Sequence, residues 1–223
     1  IQVCGTNGKG STISFLRSIL KEADIKCNIY TSPHVQRINE RFIYNDEMIS
    51  DDDLSNLLNE IEEINNGQPL TYFEALTAAF FHGCKKYNEN LVIAEFGLFG
   101  RGDAVNILKK NLCNIVTSCS EDHLDWLPEN DRNIERIIFE KTSSLLESNI
   151  VVAKQTSNEI TECIKKNISN NSANKYYFNE NYNFVLKENN FFYYEDKYGG
   201  LKIPKPNLNG QFQLENASTA IAT

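Results

Sequence analysis

The sequence predicts an α/β fold, in which helices flank a mostly parallel sheet. Compact apolar runs of strand length, such as residues 91–94 and 114–117, alternate with stretches of helical periodicity. This alternation is typical of parallel sheets that are covered by helices on both faces. The last part of the chain breaks the pattern, because its aromatic and polar runs predict a small antiparallel hairpin.

Strand and helix alternate from the start of the chain. Residues 1–4 predict the end of a strand, and residues 26–30 predict a second short strand. The acidic stretch 50–53 predicts the start of a helix, and residues 73–87 predict another helix that is largely buried. Apolar residues three and four positions apart mark the first two helices: Ile13, Leu16, Ile19 and Leu20, then Leu54, Leu57, Leu58, Ile61 and Ile64.

The same pattern continues beyond the middle of the chain. Residues 91–94, 114–117 and 150–153 predict three more strands. Residues 134–146 predict a helix between the last two of them. The Asn-rich stretch 167–174 indicates a solvated loop rather than a functional tract.

The C-terminal part predicts a hairpin, and the two chain ends indicate a truncated domain. Two aromatic runs, which begin at Tyr182 and Phe191, predict the strands of the hairpin, with its turn over residues 187–190. Residues 217–223 indicate a helix that is cut short, and the chain begins at Ile1 within an apolar run. We therefore expect the 223 residues to form one domain that is truncated at both ends.

Composition excludes several classes of protein. The 22 basic and 30 acidic residues give a formal net charge of −8. No stripe of Lys or Arg stands above this acidic background, so nucleic acids and anionic membranes are not expected partners. A hydrophobic share of 41% argues against disorder. No signal-peptide pattern or membrane-length apolar run occurs, and we expect a soluble, cytoplasmic and monomeric protein.

The six cysteines do not predict a metal site or a disulfide framework. None of them forms a C-x-x-C pair, and most lie in apolar runs. Reduced, buried thiols are the expected state.

The stretch GTNGKGS at residues 5–11 carries the clearest chemical signal. It follows the first strand and opens the first helix, where glycines allow tight turns and backbone N–H groups attract anions. Lys9 adds a positive charge, and Ser11 or Thr12 supplies a hydroxyl for phosphate or Mg²⁺. The usual pattern G-x-x-x-x-G-K-S/T fails twice, at Val3 and at Gly10. The stretch is therefore a variant nucleotide-phosphate loop, and it predicts a sheet of the P-loop type.

Three polar residues follow the ends of predicted strands. Ser32, Glu95 and His123 each lie just beyond a short apolar strand. The carboxyl ends of parallel strands share one edge of the sheet, so these side chains are expected to converge on the phosphate loop. A hydroxyl, a carboxylate and an imidazole are plausible Mg²⁺ ligands when water and phosphate oxygens complete the set. Each residue alone is a weak signal, and the prediction depends on their joint placement.

The motifs together resemble folylpolyglutamate synthase/dihydrofolate synthase, a member of the Mur ligase superfamily. The resemblance rests on GTNGKGS, on YTSPH at residues 30–34 with RINER at 37–41, on EFGLFGRGD at 95–103 with Asn106, and on DHLDWL at 122–127. These motifs occur in family order along most of the chain. The resemblance implies that residues 1–223 are the ATP-binding central domain and that a C-terminal glutamate-binding domain is absent.

The resemblance also implies an ATP-dependent ligase. ATP would phosphorylate the carboxylate of dihydropteroate or a folate, and the amine of L-glutamate would attack the acyl phosphate. Lys141 matches a family lysine that is carbamylated, which turns a poor Mg²⁺ ligand into an anionic oxygen ligand for a second metal ion. Two cations would then screen the triphosphate and the attacked carboxylate.

Site residues are carried over from the family by position. The catalytic residues are Lys9, Lys141 and His123. The metal ligands are Ser32, Glu95, His123 and Lys141. The ATP-binding residues are Gly5, Thr6, Asn7, Gly8, Lys9, Gly10, Ser11, Thr12 and Asn216, and the last of these lies near adenine. The substrate-binding residues are Arg37, Asn39, Glu40, Arg41, Phe73 and Glu74. Asp122 and Asp125 either orient the metal ligands or cap a turn, while His34 and His82 are expected to be structural.

The chain departs from the family pattern at a few positions. Phe99 and Gly102 stand where the family usually has a glycine and a leucine, so the loop after Glu95 is expected to differ in shape. None of the departures removes a proposed phosphate or metal ligand.

Other functions stay open on the residues alone. A Mur-type ligase of cell-wall peptide synthesis is disfavoured by the TSPH and NER blocks. A P-loop kinase or GTPase would need the ordinary Walker pattern, and a GTPase would also need a guanine-specific motif. A binding module without catalysis has no evident need for Lys9, Glu95, His123 and Lys141 together.

Overall fold

The computed structural model describes residues 1–87, 90–188 and 190–223. The helices are α1 Lys9–Glu22, α2 Asp51–Asn65, α3 Tyr72–Gly83, α4 Ile134–Thr142, α5 Asn158–Asn167 and α6 Phe212–Ala222. The strands are β1 Gln2–Cys4, β2 Cys27–Tyr30, β3 Phe42–Tyr44, β4 Glu47–Met48, β5 Leu91–Glu95, β6 Cys113–Val116, β7 Asn149–Val152, β8 Lys175–Tyr177, β9 Tyr182–Glu188, β10 Phe191–Asp196 and β11 Gly199–Pro204. Helices and strands alternate over much of the chain, although α2 is followed by α3 and no helix lies between β5 and β6.

Eight strands form one sheet in the order β4-β3-β2-β5-β1-β6-β7-β8. The pairs from β2 through β8 are parallel, whereas β3 and β4 are added antiparallel at one edge. The predicted fold class, a mostly parallel sheet flanked by helices, is therefore confirmed. The central position of β1, between β5 and β6, brings the loop after β1 between the loops that follow its two neighbours.

Helices cover both faces of this sheet. Leu54, Leu57 and Ile61 of α2 are buried on one face, in the same apolar cluster as residues of α3, α4 and α5. On the other face, α1 and α6 pack against the sheet, and Ile13 and Leu214 belong to a second cluster. α2 begins at an N-cap, Ser50, whose hydroxyl accepts the Asp53 N–H at 3.1 Å, as the acidic stretch predicts.

Three antiparallel strands, β9, β10 and β11, form a separate small sheet. The predicted hairpin, β9 and β10, is therefore part of a three-stranded sheet. The third strand, β11, was not predicted from the sequence. The predicted turn of the hairpin includes Asn189, which lies outside the described residues. Buried rings of Tyr182, Phe192 and Tyr194 join this sheet to the core beside α6.

Other predictions need small corrections. α4 ends at Thr142 rather than at residue 146, since a turn follows it. The last turn of the predicted helix over 73–87 is a 3₁₀ turn, Cys84–Tyr87. Strands β3, β4 and β8 and helix α5 were not predicted. The six cysteines are free thiols, four buried and two half-buried. In the described part of the chain, every helix is too short or too polar to cross a membrane.

Candidate functional site

The loop between β1 and α1 is held by the segment that follows β6. The N–H groups of Thr6 and Asn7 both donate to the Ser118 carbonyl oxygen, at 2.8 and 3.0 Å. Gly5 has a φ of +129°, and a Cβ at this position would lie 2.1 Å from the Thr117 Oγ1. Glycine is therefore required here, and the protein itself fixes the backbone of the loop.

The N-terminus of α1 is an open anion cradle. Gly8 is its N-cap, with a φ of +87°, and no side chain caps the first turn, which also lacks acidic residues. Uncapped N–H groups at a helix start attract anions. Gly10 and Ser11 lie in this turn, and the buried Thr12 Oγ1 has no hydrogen-bond partner in the described structure. Asn216 of α6 lies over the loop, since a Cβ on Gly8 would be 2.4 Å from the Asn216 Oδ1.

Lys9 and Glu95 meet beside this cradle. The Lys9 Nζ donates to the carbonyl oxygens of Gly5 and Thr6, both at 3.2 Å, and lies 3.7 Å from the Glu95 Oε1. Glu95, the last residue of β5, is 4% exposed and accepts the Ser32 N–H at 3.1 Å. Burial raises the pKa of Glu95, while Lys9 and the Ser32 amide partly oppose the shift. A buried carboxylate with so few donors is a favourable place for a cation.

Lys141 reaches the same loop from α4. It is 2% exposed, and its Nζ donates to the carbonyl oxygens of Gly5 at 3.2 Å and Leu98 at 2.8 Å. The Nζ also lies 5.4 Å from the centre of the Phe99 ring. Burial lowers the pKa of Lys141, and the nearby positive charge of Lys9 lowers it further. The Gly5 carbonyl oxygen therefore accepts hydrogen bonds from two lysines, which is consistent with a site for a strongly anionic ligand.

His123 lies farther out than the other predicted metal ligands. Its Nε2 is 3.1 Å from the Asp122 Oδ2, and its ring packs edge-to-face on Phe99 with ring centres 6.4 Å apart. The residue has a φ of +56°, in the left-handed region, and its N–H donates to the Asp122 Oδ1. Asp122 thus positions His123 and its loop. No contact between His123 and Glu95 occurs in the described structure.

The donor set fits a divalent cation of the Mg²⁺ type in its chemistry. Glu95 supplies a buried carboxylate whose charge Lys9 only partly neutralises, at 3.7 Å, and carboxylate oxygens are what such ions prefer. Over residues 1–87, 90–188 and 190–223, no group of three or more His, Cys, Asp or Glu side chains converges on one point. A cation at Glu95 would therefore need oxygen atoms from its ligand or from water.

A cleft of about 640 Å³ opens beside Ser32, whose N–H donates to Glu95, and beside Leu98 and Phe99, which contact Lys141. Of the six predicted substrate residues, Arg41, Phe73 and Glu74 line it, and the predicted metal ligand Ser32 lines it as well. The other lining residues come mainly from the loop after β5 and from the turn after His123: Pro33, Thr71, Gly97, Leu98, Phe99, Arg101, Gly102, Asp103, Ala104 and Trp126.

Arg37, Asn39 and Glu40 do not line this cleft. The Glu40 carboxylate accepts three backbone N–H groups of residues 35–37, at 2.7 to 2.9 Å. Arg37 and Asn39 both bind the Asp51 carboxylate at the start of α2. These three residues therefore hold the loop in shape and attach it to α2, and Arg41 is the member of the loop that faces the cleft.

Sequence reasoning missed Leu98 and Trp126 as cleft residues. Both come from segments whose apolar side chains look like ordinary core or turn residues in the sequence. The sequence could have indicated Trp126 as a site residue, because it is the only tryptophan of the chain and lies three positions after His123. Both histidines that were expected to be structural have partners within the protein: His34 accepts the Arg41 Nε–H, and His82 pairs with Glu60 at 3.1 Å.

Comparison with known proteins adds a family and several relatives. A family model of the Mur ligase middle domain matches residues 3–223. The dihydrofolate synthase/folylpolyglutamate synthase of Bacillus subtilis (strain 168) is 35% identical over 179 residues, which is 77% of this chain and 40% of that protein. The Escherichia coli (strain K12) protein of the same name is 39% identical over 134 residues, or 60% of this chain and 32% of its own.

Solved structures show the same fold. The bifunctional folylpolyglutamate synthase/dihydrofolate synthase of Yersinia pestis, complexed with AMPPNP and a manganese ion, matches with a TM-score of 0.85 at 30% identity, over 99% of this chain and 51% of that one. Escherichia coli FolC in complex with DHPP and ADP matches with a TM-score of 0.86 at 32% identity, over 99% and 51%. The chain thus spans about half the length of these structures.

Proposed function

The chain belongs to the Mur ligase middle-domain family, and from this premise we propose that it is the ATP-binding part of a ligase that joins L-glutamate to dihydropteroate or a folate. The observation that carries the proposal is the meeting of Lys9, Glu95 and Lys141 at the open N-terminus of α1. Relatives that are 35% and 39% identical are dihydrofolate synthase/folylpolyglutamate synthases.

ATP would bind with its phosphates on the loop after β1. The uncapped N–H groups of α1 and the Lys9 ammonium offer positive potential, and the unpartnered Thr12 hydroxyl offers a further donor. Ser11 lies in the same turn. Asn216, over Gly8, would contact the nucleotide from the opposite side. The AMPPNP and ADP bound in two solved relatives support this assignment.

Glu95, together with Ser32 and His123, would hold a Mg²⁺ ion between the phosphates and the cleft. Bound there, the ion would neutralise phosphate charge. The manganese ion in the Yersinia pestis structure supports a divalent cation. His123 pairs with Asp122 at 3.1 Å, so binding of its imidazole to the cation would replace that pairing.

Lys141 would act as a carbamate. The reaction consumes CO₂: the neutral amine attacks the carbon, a C–N bond forms and one proton is released. The lowered pKa of Lys141 favours the neutral amine that this attack requires. The carbamate would supply anionic oxygens to a second cation. Its nitrogen would no longer be an ammonium group that donates to the carbonyl oxygens of Gly5 and Leu98.

The cleft would bind the pteroate or folate substrate with its carboxylate directed at the phosphate loop. A carboxylate oxygen attacks the γ-phosphorus of ATP, ADP leaves, and the glutamate amine then displaces phosphate from the acyl phosphate. Lys9 would stabilise the charge that develops on the transferred phosphoryl group. Arg41 and the aromatic wall of the cleft would orient the substrate.

The test replaces Lys141 by Ala in the protein at its full natural length. We expect ATP-dependent ligation of glutamate to fall by at least about 100-fold, because the second cation that would screen the transition-state charge loses its carbamate ligand. AMPPNP should still bind. Production of ADP and product mass are measured with dihydropteroate or tetrahydrofolate as acceptor, and Lys166→Ala, an exposed lysine of α5, is the control.

A second readout isolates the carbamate. With ¹³C-bicarbonate, the wild-type protein should show a carbamate carbon signal that is absent from Lys141→Ala. Wild-type turnover by the variant would refute the role of Lys141. No ADP with either acceptor in the wild-type protein would refute the proposed reaction itself.

A further inference from the structure

The segment after β6, residues 117–120, lies directly against the phosphate loop. The Ser118 carbonyl oxygen accepts the N–H groups of Thr6 and Asn7, at 2.8 and 3.0 Å. The Thr6 Oγ1 donates to the Ser120 carbonyl oxygen and accepts the Ser120 N–H, both at 3.1 Å. Because Thr6 and Asn7 lead directly into α1, this segment sets the position of the uncapped N–H groups at the start of that helix.

Gln155, three positions beyond the end of β7, contacts the same segment from the other side and is only 9% exposed. Its Oε1 accepts the Cys119 N–H at 2.9 Å. Its Nε2 donates to the carbonyl oxygens of Thr117 at 3.3 Å and Ala153 at 2.8 Å. A primary amide has both an acceptor oxygen and two donor N–H groups. The side chain of Gln155 therefore satisfies three backbone groups that neither a carboxylate nor an ammonium group could satisfy together.

One peptide group connects the phosphate loop to Gln155. The Ser118 carbonyl and the Cys119 N–H belong to the same trans peptide plane, in which these two groups point in opposite directions. The oxygen of this peptide group accepts from the loop, and its N–H donates to Gln155. A rotation or displacement of the peptide group would therefore move the acceptor that holds the loop.

Loss of the Gln155 amide would leave this peptide group without its support. Cys119 is fully buried, so its N–H could not turn to water instead, and an unpaired buried donor is costly. The segment would shift toward another partner, and the phosphate loop would shift with it. Small displacements of the groups that hold a ligand reduce binding and reactivity strongly.

We propose that Gln155 is a positioning residue for the nucleotide phosphates, which acts through the peptide group between Ser118 and Cys119 on the N–H groups at the start of α1. The inference rests on the proposed function, because it takes the phosphates of ATP as the ligand of that loop. The described hydrogen bonds of the Gln155 side chain go to residues 117, 119 and 153, so its effect on the nucleotide is indirect.

The test measures AMPPNP binding by calorimetry in the protein at its full natural length, for Gln155→Ala and Gln155→Glu. We expect Gln155→Ala to weaken binding about tenfold, which is the lower end of the effect of residues that orient metal ligands. Gln155→Glu should weaken binding at least as much, because a carboxylate oxygen would face the carbonyl oxygens of Thr117 and Ala153. If Gln155 only filled space, glutamate would preserve the affinity, since its volume is nearly the same.

The matched control is Gln68→Ala, at an exposed glutamine between α2 and α3, which should bind AMPPNP as the wild type does. The KM for ATP should rise in the two Gln155 variants. The KM for dihydropteroate at saturating ATP should stay near the wild-type value in all three variants. Thermal unfolding gives the temperature below which each variant is folded, and the measurements are made there.

Hydrogen exchange separates positioning of the loop from a general loss of stability. Without nucleotide, the amides of Thr6 and Asn7 should exchange faster in Gln155→Ala, and the acceleration should exceed that of the amides in the buried strand β5. Wild-type AMPPNP affinity in both Gln155 variants would overturn the inference and leave the proposed function standing. Absence of AMPPNP binding to the wild-type protein would overturn the proposed function.

Discussion

The two ends of the large sheet both bury polar side chains, but they satisfy them differently. At the amino ends of the strands, the buried residues are the neutral amides Gln2, Asn28 and Asn114. At the carboxyl ends they are the ionisable groups of Glu95 and, from the adjoining helix, Lys141. Strands β1, β2, β5 and β6 run from one end to the other. The two ends therefore differ in the chemistry of their buried side chains and not in the strands that form them.

The amide end is a closed network. Asn114 donates to the Leu146 carbonyl oxygen at 3.0 Å and to the Ser148 Oγ at 2.9 Å, and Asn111 links it to Gln2. Each of these amides thus finds its partners within the protein, and such a network stabilises the fold.

The charged end is an open network. The Glu95 carboxylate accepts one backbone N–H and lies 3.7 Å from Lys9, and the Thr12 hydroxyl has no partner in the described structure. Buried charge that the protein leaves partly unpaired raises or lowers pKa values, as for Glu95 and Lys141. The comparison indicates that the amide end stabilises the fold, whereas the charged end keeps buried groups available for a ligand.

The largest effect is expected for Glu95→Gln, which removes the negative charge from the open end. Affinity for Mn²⁺ in the presence of AMPPNP should fall by at least about 100-fold, more than loss of a residue that only orients a ligand usually costs. Titration followed by electron paramagnetic resonance measures this affinity. Glu60→Gln, which alters a surface pair with His82, is the control and should bind Mn²⁺ normally.

The pH dependence of Mn²⁺ binding to the wild-type protein provides a second test of Glu95. Burial raises the pKa of Glu95, so a proton displaces the cation at a higher pH than it would at an exposed glutamate. Mn²⁺ affinity should therefore fall as the pH falls through that raised pKa. The folded state also holds this proton more firmly than the unfolded state, so this part of the unfolding free energy decreases as the pH rises. Both dependences should disappear in Glu95→Gln.

A smaller effect, on stability alone, is expected at the closed end. Asn114→Ala removes three buried hydrogen bonds, those of Asn114 to the Leu146 carbonyl oxygen and the Ser148 Oγ and that from the Asn111 amide to the Asn114 Oδ1. The free energy of unfolding should fall by about 2–3 kcal/mol, measured by urea denaturation, while AMPPNP affinity of the folded protein stays unchanged. Asn174→Ala, at an exposed amide, should cost less than about 0.5 kcal/mol. A loss of nucleotide affinity in Asn114→Ala would contradict the separation of the two ends.

The sequence was sufficient for the central sheet and for the glycine-rich turn between β1 and α1, because both depend on local signals. Apolar strand runs and the glycines around Lys9 are readable without tertiary information. The edge strands β3 and β4 were missed, since they are very short and joined by Asn45 and Asp46, both at positive φ. β11 was missed because two glycines open it and a proline closes it.

The site was less predictable than the fold, for a physical reason. A lysine on a short amphipathic helix is normally solvated, and nothing in the local pattern indicates that Lys141 is 2% exposed. Its burial results from the loop after β5, whose Leu98 carbonyl oxygen accepts its Nζ. The resemblance to a family pointed to Lys141, whereas periodicity alone did not. The convergence of Trp126 and Phe73 on one cleft likewise depends on segments far apart in the chain.

The smallest effects separate two arginines of one loop. Arg41 is 8% exposed, donates from its Nε to the His34 Nδ1 at 3.0 Å and faces the cleft, whereas Arg37 is exposed and pairs with Asp51. Arg41→Ala should raise the KM for dihydropteroate about tenfold, because a charged hydrogen bond contributes about 1.5–3 kcal/mol, and leave the KM for ATP unchanged.

Arg37→Ala should change the KM for dihydropteroate less than about twofold, since an exposed ion pair contributes little. Arg41→Lys keeps the positive charge but not the planar fork of donors, so its KM should lie between those of the wild type and Arg41→Ala. Thermal unfolding of each variant shows whether the fold is kept. Equal effects of Arg37→Ala and Arg41→Ala would mean that the whole loop, and not only its cleft-facing residue, binds substrate. If only Arg41→Ala raises the KM for dihydropteroate, the role of Arg37 is structural, like that of the buried amides at the amino ends of the strands.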